Sequence, residues 1–117
     1  MKYLVLYREN TQLTAATPPP VIIEAVAETR RWLGEVKLSG QATEAMFMSG
    51  EHGGLAIFNA DSGGQLAELI DACPARPFCS VETIPLMSTD EAAPVIEKAK
   101  VRVSEMMHRI SELAPAG

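Results

Sequence analysis

The opening segment constrains this chain more than any other. In Lys2–Arg8, Tyr3, Val5 and Tyr7 point to one side of a strand and Leu4 and Leu6 to the other, so both faces are apolar. A strand of that kind must be covered twice, once by the chain's own helices and once by something else. Pro18, Pro19 and Pro20 then introduce a helix ending near Gly40, whose Ile22, Val26, Thr29, Leu33 and Val36 recur at steps of four and three. Two strand-like runs follow, Ala42–Ser49 and Gly53–Ala60, joined by a glycine-bounded turn that reads as a β-hairpin.

Ser62 and Gln65 have capping-box spacing and open a second helix over Ser62–Ala72, with Leu66, Leu69, Ile70 and Cys73 on one face. Pro74 and Pro77 forbid its continuation, and Phe78–Met87 reads as a fourth strand with Cys79, Val81 and Thr83 alternating against Ser80, Glu82 and Ile84. Pro85 suggests a strand end or a sheet edge. A third helix begins near Ser88 or Asp90, with Pro94 in or near its first turn. Its Ile96, Ala99, Val103, Met106, Ile110 and Leu113 recur every three or four residues.

The order βαββαβ with an added C-terminal helix predicts an α+β, ferredoxin-like fold. At 117 residues a single domain over residues 1–117 is expected, with its last helix at about 89–113. Both helices of such a fold pack on one face of the sheet, and a second copy of the chain is the simplest cover for the other, so a homodimer or higher homo-oligomer is expected. The net charge of −5 and the lack of a basic stripe argue against nucleic acid. No apolar run approaches the roughly 20 residues of a membrane helix and no secretory signal pattern opens the chain, so no membrane partner and a cytoplasmic location are expected. Cys73 and Cys79 read as two reduced thiols.

The run Gly53-Gly-Leu-Ala-Ile-Phe-Asn-Ala-Asp-Ser62, then Leu69-Ile-Asp-Ala-Cys-Pro-Ala-Arg-Pro-Phe78 and the strand to Leu86, resembles the dimeric α+β barrel superfamily, and within it the muconolactone isomerase-like proteins. The resemblance covers roughly residues 1 to 87; the opening MKYLVLY is also similar to the YCII-related branch of that superfamily. It implies two sheets closing into a barrel across a two-fold axis, a small-molecule pocket, and a cofactor-free proton shift that moves a lactone double bond. Such a reaction needs a base for a carbon-bound proton and donors for enolate and carboxylate charge. The strands here depart from that expectation in being poor in ionic groups, with Phe47, Met48 and Ile84 in stretches where polar side chains are expected.

Glu82, in mid-strand beside Ser80 and Ile84, is the first candidate base if its face is dry, and a surface charge if it is wet. Arg8 offers a planar fork for a carboxylate or pairs with a surface acid. His52, in the glycine-rich turn, either reaches a pocket mouth to shuttle protons or lies in solvent. Tyr3, Tyr7, Glu44, Phe47 and Ser80 complete the candidate substrate-binding set, each with a core or surface role as its alternative. His108 has no second His or Cys at ligand spacing, so no metal is expected, and no phosphate-cradling glycine pattern suggests a cofactor. The leading expectation is an isomerase acting on a small apolar cyclic or unsaturated carbonyl compound. The others are a dimeric module binding a hydrophobic ligand or protein, and a cofactor-free oxygenase or cyclase.

Overall fold

The computed structural model describes residues 1–113. They divide into two compact units, Met1–Leu86 and the residues from Met87 onward. In the first unit, β1 (Lys2–Glu9), β2 (Ala42–Phe47), β3 (Gly53–Asn59) and β4 (Cys79–Leu86) form one sheet in the order β2-β3-β1-β4. Every neighbouring pair is antiparallel, which is the ferredoxin-like arrangement. Helices α2 (Pro19–Leu38) and α3 (Gly63–Asp71) supply its crossovers.

The register settles which side of each strand meets the helices. Val5 pairs with Ala56 and with Thr83, and Tyr7 with Gly54 and Val81. Val5, Ala56 and Phe58 are fully buried beneath Val36 of α2 and Leu66 and Leu69 of α3. Trp32 meets Phe58 edge to face, with ring centroids 6.0 Å apart. The opposite face carries Leu4, Leu6, Leu55 and Ile57, partly buried, with Met46 and Ile84 exposed. Within residues 1–86 no element covers that face.

Local chemistry sets the element ends. Pro19 and Pro20 occupy the first turn of α2, where a missing N–H costs nothing, and Gly40 adopts φ +80° just past its C-terminus. Ser62 caps α3 by accepting from Gln65 N at 3.1 Å, while the Gln65 side chain reaches back to Asp61 N at 2.7 Å. A register shift between Ala42 and Glu44 breaks the simple alternation of β2. It puts Ala42, Ala45 and Phe47 on the helix side and leaves Glu44 and Met46 opposite.

The structure adds two short elements that periodicity did not reveal: a 3-10 turn at Arg76–Phe78, which takes Phe78 out of the expected strand, and the helix α1 (Thr11–Ala15), capped by Asn10 Oδ1 accepting from Gln12 N and Leu13 N. In the second unit, α4 spans Thr89–Leu113 with no buried residue. Ser88 Oγ accepts from Glu91 N, and Glu91 Oε1 accepts from Ser88 N. This complete capping box starts the helix early enough to leave Pro94 inside it, beyond the first turn. No helix among the described residues is long and apolar enough to cross a membrane.

Candidate functional site

A cavity of about 470 Å³ lies between the sheet and α2 in the first unit. Its origin is the apolar stripe of α2. The stripe's C-terminal end, at Val36, packs into the core on the sheet, whereas Ile22, Ile23, Val26 and the buried Leu33 line the cavity. Gly54, on the helix side of β3 between Tyr7 and Phe47, adds no side chain that would fill it. Phe47, Met48, Ala75 and Phe78 complete apolar walls, and such a volume falls in the ~300–1,000 Å³ range of ligand pockets.

The floor is polar but internally satisfied. The Tyr7 hydroxyl donates to Ile70 O at 3.1 Å, and Thr29 Oγ1 donates to Ala25 O at 2.8 Å. Burial raises the Tyr7 hydroxyl far above its ordinary range, with Cys73 adding to the effect. Burial also pushes up the thiols of Cys73 and Cys79, so both remain neutral near pH 7. Both cysteines are free.

The rim is where charge gathers. Glu9 extends β1 by one residue on the Tyr7 side of the strand, and its carboxylate takes two partners: Thr14 Oγ1 of α1 donates to Oε1 at 2.6 Å, and His52 Nδ1 stands 2.9 Å from Oε2. The Glu9 N–H also donates to His52 O at 3.0 Å, tying the hairpin turn to β1. His52 is 86% exposed in its side chain and Glu9 29%, so the imidazole sits at the opening with its carboxylate behind it. With Nδ1 turned to the Glu9 carboxylate, Nε2 is the ring nitrogen left for a proton from elsewhere.

Of the residues singled out in the sequence, His52, Tyr7 and Phe47 meet at this cavity. Tyr3 shares the helix side of β1, but its hydroxyl donates to Met1 Sδ at 3.4 Å, away from the cavity. Glu82, Arg8, Ser80 and Glu44 lie on the other face. There Arg8 binds Glu82 Oε2 at 2.8 Å and Glu51 Oε1 at 3.3 Å, and Glu44 pairs with Lys37 at 3.5 Å. Glu82 is thus an exposed, ion-paired carboxylate, and the dry surroundings that would suit it as a base are absent from this chain's own first unit. Glu9 and Thr14 were missed. Strand alternation carried one residue further would have put Glu9 on the Tyr7 side, but nothing in the sequence pointed to Thr14.

Comparison with known proteins bears on this ferredoxin-like sheet and its apolar cavity. The sequence model for muconolactone delta-isomerase matches residues 1–92. A muconolactone Delta-isomerase of Rhodococcus opacus is 28% identical over 68 residues, covering 58% of this chain and 73% of that protein. With most of its length matched, including every strand of the sheet and the whole cavity, the chain belongs to the muconolactone delta-isomerase family.

Proposed function

We propose that the protein is a cofactor-independent isomerase that shifts a proton between two carbons of a small, largely apolar cyclic or unsaturated carbonyl compound seated in the cavity. The observation that carries this reading is the His52–Glu9 pair, 2.9 Å apart on the rim of an apolar cavity. His52 Nε2 lifts a carbon-bound proton and returns it to a second carbon of the same conjugated system. Glu9 fixes the ring and balances the imidazolium that forms in between, while Thr14 holds Glu9.

The test is exchange of a γ-alkyl butenolide with deuterium oxide, followed by NMR. The unmodified protein is expected to catalyse both exchange and double-bond migration, and His52→Gln to lose about 10²-fold of that rate, the lower end of general-base effects. Exchange that survives His52→Gln but fails in Glu82→Gln would move the base to the other face of the sheet and overturn the assignment. A second reading, a module that stores or carries a hydrophobic ligand, is favoured by a cavity floor whose hydroxyls are already satisfied by the protein. That reading predicts ligand capture with no exchange at all.

We also infer a homodimer formed through the sheet face that bears Leu4, Leu6, Leu55 and Ile57. An apolar sheet face without cover in its own unit is the support for it. Light scattering should give at least twice the 12.6 kDa chain mass, and Leu6→Glu should halve the assembly. A monomer at micromolar concentration would reject the dimer.

A further inference from the structure

We propose that the cavity discriminates by charge and size, taking an uncharged lactone or enone larger than a single ring and turning away carboxylates, muconolactone itself among them. The proposal rests on reading the cavity as the substrate site. Muconolactone carries a carboxymethyl group, anionic at neutral pH, and a site built for it would offer that group a cation or a set of free donors.

This cavity offers neither. No Lys or Arg is among its lining residues; its ionisable rim consists of Glu9, Glu51 and His52. Arg8 lies on the other face of the sheet, outside the cavity lining, and is engaged by Glu51 at 3.3 Å and Glu82 at 2.8 Å, so the two carboxylates at the opening, Glu9 and Glu51, have no Lys or Arg of the lining beside them. Arg76, behind the floor, does not line the cavity. Its Nη1 donates to Cys79 O at 3.1 Å, while its Nε, buried and 3.5 Å from Asp71 Oδ1, has no hydrogen-bond partner and no surface open to the cavity. A protonated His52 would already be paired with Glu9.

The hydroxyl donors are committed within the protein. Tyr7 gives its proton to Ile70 O, Thr29 to Ala25 O and Thr14 to Glu9. A carboxylate entering past Glu9 and Glu51 would be repelled at the rim and desolvated without a partner inside, which is among the most costly things a protein can do to an ion. A neutral ring system meets the opposite conditions, with Ile22, Val26, Phe47 and Phe78 as walls. The volume of about 470 Å³ has room for a long alkyl substituent or a fused second ring.

The experiment is a calorimetric titration of the full chain with two probes on one skeleton, a γ-octyl butenolide and the same molecule ending in a carboxylate, at neutral pH. The neutral probe is expected to bind at least about tenfold more tightly. Glu51→Lys should narrow that ratio at least about threefold. Equal or tighter binding of the acid, no saturable binding of the neutral probe, or a ratio unmoved by Glu51→Lys would overturn the proposal. Because the readout is affinity, selective binding without proton exchange would remove the isomerase reading and keep this one.

Discussion

Phe58→Ala is expected to cost about 3–5 kcal/mol of folding stability, the range for emptying a fully buried aromatic site. Phe58 has no exposed surface, pairs across the sheet with Tyr3 and with Ala42, and takes the edge of Trp32 at 6.0 Å. Its small neighbours cannot refill the space. Ala42, Ala56 and Ala60 are single methyl groups fixed to backbone, and none reaches further by changing rotamer. The urea midpoint should fall with the slope of the transition unchanged, and Phe58→Leu should recover more than half of the loss. A loss below about 1 kcal/mol would mean that α2 and α3 collapse onto the gap and that the core is far more plastic than its packing indicates.

Gly53→Ala is the second large effect, and it reaches the site as well as the fold. A methyl group at Gly53 would land on the carbonyl oxygen of Tyr7 and press on Met48 Sδ at 3.3 Å. Met48 can swing aside, but the Tyr7 carbonyl is a backbone atom held in the middle of the sheet. The start of β3 must therefore shift or the sheet must strain, at a cost of about 3 kcal/mol, the upper end for overpacking. Because His52 precedes Gly53, the same shift pulls the imidazole off Glu9. Thermal melts should show the loss of stability, and NMR of the His52 ring should show the loss of its contact with Glu9. Gly50→Ala, three residues earlier with open space around it, is the control and should be nearly silent in both. Equal behaviour of the two variants would refute the steric argument.

The parts of this fold legible in the sequence are those where one local rule decides. Ser62 and Gln65, and the prolines at 18–20, marked helix starts because capping and φ restriction act within a few residues. The faces of β1 and β4 followed from alternation, which holds Glu82 with Ser80 and Ile84 as expected. Alternation cannot say which face receives the helices when both are apolar, as they are for Leu4 and Leu6 against Val5 and Tyr7. That single ambiguity is why Glu82 stood ahead of His52 as the candidate base. Glu9 and Thr14 were hidden for another reason: α1 is five residues long, too short to show a helical period, and its cap Asn10 reads equally well as a turn residue. Met48, which strict alternation along Ala42–Ser49 would set beside Glu44 and Met46, lines the cavity instead because β2 ends at Phe47.

The unfilled half of the α2 stripe also bears on how this protein is held together. Ile22, Ile23 and Val26 are the kind of residues that elsewhere form a core, yet here they border empty space. A hydrophobic guest would thus act as a missing core side chain, supplied from solution. On the proposed reading, folding and recognition would draw on the same apolar surface, and a bound guest would add packing to the N-terminal turns of α2.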